Sequence, residues 1–440
     1  MTIATGSGGS VLLRGLDHVL TCDEDDTVRH GVDVLVVDGV ITEIGPSLQA
    51  PPGVVTRDGS GRLLLPGLIN LHTHTPMTLL RGIAEGVNLA GFLEKVWAAE
   101  ARLMNPETVE TGARLAGWES LAAGVTTTLD MYLFPGAAHR GAAATGLRHI
   151  AGPVFFDGPG PDGLTWPQRL TEAAGWRAEL AEVGGPYVPF TLMPHGTYTN
   201  SPEHLSELAA LAADTAADLI TVHASETTAE NVDVLTRFGA TPVGLLAAAG
   251  LLQTRTVLGH GVHLDEHDLN TVLAHDTAIA HCPGSNLKLA SGALNWEELR
   301  ARGVRLGLGT DGCSSSNDLD LWQVMRQAAL LARLTAADPT AGQATAVLRA
   351  ATIEGARALG LADLIGSVEV GKRADLTLLD LNAPHLVPIH DLPALLVFAA
   401  GRSDVVDVLV DGHLVLADRR STRLDEAELL AEVRALGAQT

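Results

Sequence analysis

The chain has 440 residues, 46% of them hydrophobic and 18% charged, with a formal net charge of -23. That length exceeds one ordinary core and suggests a large domain with a smaller companion, and the apolar content excludes a disordered chain. So strong an acidic excess argues against a nucleic-acid partner, whose phosphates call for Lys and Arg.

Three cysteines, Cys22, Cys282 and Cys313, are too few for a disulfide framework and fit a reducing compartment. Met1 to Ser10 shows no basic segment followed by an apolar one, so no secretory leader is expected, and no apolar run approaches the ~20 residues of a membrane span. These features predict a cytoplasmic protein without a membrane partner.

From Val11 to Val55 short β-rich runs alternate with turns, as in Val32 to Val37, Asp38-Gly39 and Val40 to Ile44. The same texture returns in Ala374 to Asp380, Val405 to Val410 and His413 to Val415. Two matching segments at opposite ends predict one small β-sandwich domain from residues 1–62 and 369–440, with residues 63–368 inserted as a unit. The insert repeats a short apolar strand and a helical stretch, the pattern of a parallel sheet with crossover helices. Strands are predicted at Leu63 to His74, Val125 to Met131, His149 to Phe156, Val188 to His195, Leu219 to Ser225, Arg255 to His260, Thr277 to His281 and Arg305 to Asp311. Eight such units predict an α/β fold of the (β/α)8 TIM-barrel type. Helices are expected over Pro106 to Ala123, stopped by Gly124, and over Leu319 to Leu334.

In such barrels chemistry sits at the C-terminal strand ends. His72 and His74 are two residues apart and leave the first strand on one face. His195, His223, His260, His281 and Asp311 close the fourth to eighth strands. Imidazole and carboxylate donors suit a borderline divalent ion, zinc first, with iron or manganese as alternatives. His72, His74, His223 and Asp311 are the expected ligands, with a position left for water, whose pKa such an ion lowers to roughly 7. Glu226, three residues after His223, is either a proton shuttle or the N-cap of the helix opening near Ala229. His260 either orients the nucleophile or packs behind the site. His281 is expected to be structural, and Cys313 to line the pocket. No His-Glu-x-x-His and no Pro-Cys-x-x-Cys is present.

Motifs along essentially the whole chain resemble the amidohydrolase superfamily. They include Pro66-Gly67-Leu68-Ile69-Asn70 with His72-Thr73-His74, Met77 to Gly82, Pro194 to Thr199, and His223-Ala224-Ser225-Glu226-Thr227. Gly259 to Leu264, Ser285 to Gly292, Gly307 to Gly312 and Gly371 to Leu376 continue them. The pattern resembles the branch of deaminases acting on S-adenosylhomocysteine, methylthioadenosine and adenosine, with relatives that hydrolyse s-triazines. The resemblance implies a mononuclear site, in keeping with the absence of a lysine from the fourth strand; a homo-oligomer is expected. It also implies that His195 bonds the purine near N3, that Glu100 holds the ribose hydroxyls, and that Arg148 helps hold a carboxylate tail. The family pattern has two arginines there and this chain retains Arg148 alone, which favours a neutral substrate such as adenosine, methylthioadenosine or 5′-deoxyadenosine. The expected reaction is attack on C6 of a 6-aminopurine nucleoside, with Glu226 protonating N1 and His260 and Asp311 steadying the nucleophile, and release of ammonia. The alternatives are an s-triazine or other N-heterocycle hydrolase, and an inactive scaffold.

Overall fold

Pro66 and Gly67 divide the apolar run from Leu63 to His74 into two strands that belong to different sheets. Arg62–Pro66 pairs antiparallel with Leu376–Asp380, whereas Leu68–Thr73 runs parallel to Val125–Asp130. The single predicted strand is therefore two, and the break has a steric cause: a Cβ on Gly67 would lie 2.1 Å from the Thr126 hydroxyl oxygen. The chain can cross between sheets only where no side chain intrudes.

The computed structural model describes residues 9–437. The stretch in which no leader was read lies mostly outside them. One mixed sheet of nine strands joins both ends of the chain, ordered Arg420–Ser421, His413–Ala417, Val405–Val410, Leu376–Asp380, Arg62–Pro66, Val11–Leu20, Val28–Val37 and Val40–Gly45, with Val55–Asp58 beside Val11–Leu20. Leu13, Val34 and Ile41 from the first part pack with Leu376, Leu378 and Leu409 from the last, around Leu64. Burying each of these side chains contributes roughly 1.5–3 kcal/mol, which ties the two ends together.

The remaining strands are parallel. Six run in the order Arg305–Leu308, Ala278–His281, Thr256–His260, Leu219–Ala224, Thr191–Pro194, Val154–Phe155, and three in the order Leu68–Thr73, Val125–Asp130, Arg148–Ala151. The two sheets adjoin through the step Gly152-Pro153. At the opposite edge the Asp311 N–H donates to the His72 carbonyl at 3.0 Å, and the Asn70 amide donates to the Thr310 hydroxyl at 2.7 Å. Helices alternate with the strands, as in Pro106–Ala122, which the Asn105 side chain caps and Gly124 ends at φ +77°. No single helix among the described residues is long and apolar enough to cross a membrane. The one pair that reaches that length and hydropathy together, Thr228–Phe238 with Pro242–Ala249, is bent by 48°.

Candidate functional site

His72 lies within its strand and His74 just beyond it, with their rings 5.0 Å apart and edge to face. His223 arrives from Leu219–Ala224, and Asp311 follows Arg305–Leu308 in a left-handed conformation at φ +60°. The ligand atoms of these four buried residues lie within 4.8 Å of one another. His223 Nε2 stands 3.1 Å from His72 Nε2 and 3.4 Å from His74 Nε2. Asp311 Oδ1 is 3.5 Å from His72 Nε2 and 3.0 Å from His74 Nε2. Two nitrogens bound tetrahedrally to one zinc ion stand about 3.3 Å apart, so the donor set fits such an ion.

Each donor is aimed from behind. His74 Nδ1 meets the Met131 carbonyl at 2.5 Å, and His223 Nδ1 meets the His195 carbonyl at 2.6 Å, which leaves both Nε2 atoms facing inward. The Ser315 hydroxyl donates to Asp311 Oδ2 at 2.6 Å and leaves Oδ1 to the imidazoles. Burial drives His72 down to about 4 and His223 well below the usual imidazole range, so both are neutral, the form that ligates. Burial alone would raise Asp311, but His72 and His74 outweigh it and hold the carboxyl well below the usual range. His74, by contrast, is pushed up to about 9, because Asp311 and the Met131 carbonyl overcome its burial.

Glu226 and His260 stand over this cluster, 3.7 Å apart. Glu226 is no N-cap, since Thr227 caps the helix Thr228–Phe238. Its carboxyl is raised by burial and by Asp311 against the pull of His260, and it accepts from the Ser291 hydroxyl at 3.2 Å. His260 Nδ1 meets Asn286 Oδ1 at 2.9 Å, which directs Nε2 toward Glu226. A raised carboxyl beside an oriented imidazole is equipped to pass protons.

These groups form the polar end of a pocket whose other walls carry Met77, Leu93, Val96, Trp97, Phe156 and Tyr198. His195 and Glu100 also line it. Phe156 stacks on the His195 ring at 4.7 Å, and Thr199 engages Nδ1 at 3.1 Å, leaving Nε2 for a ligand. Burial lowers His195 to about 3 and raises Glu100 to about 7, with the Tyr132 hydroxyl opposing the second shift.

Three expectations need correction. Arg148 does not reach the pocket: at the start of its strand it is fully buried, donating to both Asp375 oxygens at 2.8 and 3.0 Å and to the Tyr187 carbonyl at 2.7 Å. The third strand begins with this residue, so its side chain sits at the end opposite the pocket. Cys313 does not line the pocket either; it packs with Ala116 and Leu319, and burial raises its thiol. The Leu63 to His74 strand is split, as described above. His281 is buried beside Trp296, with ring centroids 5.8 Å apart.

Glu230 escaped the sequence reading. Its carboxylate accepts from the backbone N–H of Glu226 at 2.7 Å and of Ser225 at 3.2 Å, bracing a turn in which Ser225 has φ +53°. The spacing Thr227-x-x-Glu230 is that of a capping box and was the available signal. In the folded chain the glutamate serves the turn that presents Glu226 instead of the Thr227 N–H.

The model of the Amidohydrolase family matches residues 63–415. The 5-methylthioadenosine/S-adenosylhomocysteine deaminase of Syntrophobacter fumaroxidans is 39% identical to this chain over 98% of each. That of Thermococcus kodakarensis is 38% identical over 92% of this chain and 94% of its own. The crystal structure of a Xanthomonas campestris adenosine deaminase with bound zinc superposes with a TM-score of 0.92 at 34% identity, covering 98% of both chains. The zinc complex of atrazine chlorohydrolase from Arthrobacter aurescens gives 0.88 at 27% identity, covering 97% of this chain and 100% of its own. With a family match over most of its length and relatives of this identity end to end, the chain belongs to the amidohydrolase family.

Proposed function

We propose that this protein is a metal-dependent hydrolytic deaminase of 6-aminopurine nucleosides, drawn from adenosine, methylthioadenosine, 5′-deoxyadenosine and S-adenosylhomocysteine. The observation that carries the reading is the convergence of four inward-facing ligand atoms with Glu226 and His260 at the polar end of an otherwise apolar pocket. The names of relatives at 34–39% identity support the substrate class.

His72, His74, His223 and Asp311 would hold one divalent ion, zinc by the chemistry of the donor set. When bound, the ion supplies Lewis acidity and lowers the pKa of water to about 7. The flat apolar walls receive the purine, and His195 Nε2 is free to bond a ring nitrogen. Glu226 delivers its proton to N1 as water adds to C6, carries one proton from that water to the departing amine, and recovers its own from the remaining hydroxyl as the C6 carbonyl forms. His260, fixed by Asn286, orients the attacking oxygen. Products are ammonia and the 6-oxopurine nucleoside. Glu100, whose raised carboxyl faces the pocket, is assigned to the ribose hydroxyls.

The architecture we infer is a closed (β/α)8 barrel over residues 63–368 beside a small β domain from 1–62 and 369–440, with Gly67 at the first crossing. We further infer a cytoplasmic homo-oligomer whose partner is a small molecule; the charge of -23 supports neither nucleic acid nor an anionic membrane. A panel of adenine nucleosides, followed by ammonia release and by the ultraviolet change of the purine, tests the function. Turnover is expected to vanish on chelation and to return with zinc. A metal-replete protein that releases no ammonia from any of them would exclude it. Hydrolysis of an s-triazine is the second reading, supported by the TM-score of 0.88 with the chlorohydrolase, and a triazine panel with ammonia and chloride detection separates the two. A wild type that purifies without metal would favour an inactive scaffold.

A further inference from the structure

The wall that a ligand meets beyond the polar end is built by one helix face. On Leu89–Leu103, Glu100, Trp97, Val96, Leu93, Phe92 and Leu89 recur at one-, three- and four-residue spacing and all line the pocket. The face runs about 16 Å at 1.5 Å per residue. Beyond Glu100 it is entirely apolar. Val96 is fully buried while Leu93 and Leu89 are partly exposed, so the pocket opens toward the N-terminal end of this helix. A substituent on the 5′ carbon of a nucleoside anchored with C6 at the polar end therefore extends along Leu93, Phe92 and Leu89.

Among the described residues, no Lys or Arg lines the pocket. The guanidinium behind its wall is that of Arg169, 4.8 Å over the Phe156 ring, and it is already engaged. Its Nη1 donates to Asp162 Oδ2 at 3.0 Å and to the Val154 carbonyl at 3.0 Å, and its Nη2 donates to Asp162 Oδ1 at 2.7 Å. Both side chains are buried, 1% and 2% exposed. Asp162, on the loop after the third strand, thus already neutralises the guanidinium packed on the back of Phe156. Its charge also acts on Glu100, which faces the same pocket. A zwitterionic tail entering here would lose its water and find no cation to replace it.

Resting on the nucleoside deaminase reading, we propose that this pocket prefers adenine nucleosides whose 5′ substituent is neutral and small or apolar over those with an amino-acid tail. The Asp162–Arg169 pair, by internally neutralising the guanidinium behind Phe156, is the specificity-determining device. The methylthio group, or a hydrogen, is matched by Leu93, Phe92 and Leu89; the homocysteine moiety is not.

The test compares kcat/KM of the zinc-replete wild type for methylthioadenosine and 5′-deoxyadenosine with that for S-adenosylhomocysteine. A preference of at least about tenfold for the neutral pair is expected. Titration calorimetry on Glu226→Gln, whose turnover is strongly reduced, is expected to detect methylthioadenosine and to give at least tenfold weaker binding of S-adenosylhomocysteine. Ratios below tenfold in both would overturn the inference and leave the deaminase reading standing, whereas neither turnover nor binding of any nucleoside would overturn both. Asp162→Asn is expected to shrink the preference severalfold by freeing Arg169. Should that protein fail to fold, Leu93→Arg, which adds a cation at the mouth, is expected to act in the same direction. An unchanged preference in Asp162→Asn would remove the pair as its cause, and an unchanged preference in Leu93→Arg would remove the apolar mouth.

Discussion

Replacing Arg148 with Met separates a brace from a substrate ligand. The guanidinium makes a two-pronged pair with Asp375 and a third bond to the Tyr187 carbonyl, and the two side chains are 0% and 2% exposed. Without it, Asp375 keeps the Asp411 N–H at 2.8 Å as its remaining partner among these bonds, and a buried carboxylate is left largely uncompensated. Breaking a buried pair from one side in this way costs about 3–5 kcal/mol. At about 2.1 cal/mol/K per residue over 440 residues, that corresponds to a fall of roughly 3–5 °C in Tm. The assay is a thermal melt of Arg148→Met run beside KM and kcat for the best nucleoside, with Arg148→Met/Asp375→Leu as the partner-free control. Tm should fall and KM stay within about twofold, and the double variant should recover part of the loss. A Tm unchanged to within a degree together with a tenfold rise in KM would refute the structural assignment and return Arg148 to the substrate.

Two further outcomes follow from the site. Glu226→Gln should keep its metal by elemental analysis yet lose about 10²- to 10⁴-fold in kcat, and near-normal turnover would remove Glu226 as the proton carrier. Glu230 has its carboxyl raised by burial to about 7 from an ordinary 4.5, against the pull of the Glu226 and Ser225 N–H groups. Because the folded chain holds this proton more tightly than the unfolded one, the contribution is fully present below pH 4.5 and is lost as pH rises to about 7. The stability difference between wild type and Glu230→Gln, from urea unfolding at several pH values, should therefore shift against the wild type across that window and be level above it. A difference independent of pH would mean the carboxyl is not raised.

The alternating geometry of a strand put His72 and His74 on one face of a legible apolar run, and the recurrence of His and Asp at strand ends marked His223, His260 and Asp311. Both signals are local, because side-chain period and strand-helix alternation depend on residues a few positions apart. Glu226 was legible by its place after His223, but its freedom from capping was not, since Thr227 could take that role only once the turn at Ser225 was set. What tertiary structure alone decided involves partners far apart in the chain. Arg148 meets Asp375 across 227 positions, and Asn70 meets Thr310 across 240. The crossing at Gly67 depends on how near Thr126 stands. The apolar face of Leu89–Leu103 was open to recognition as amphipathic, yet nothing in its period says that it lies over a catalytic pocket. Sequence carried the donors and their spacing; the folded chain determined which charges Asp162 and Asp375 had already neutralised, because that depends on distance in space and on exclusion of water.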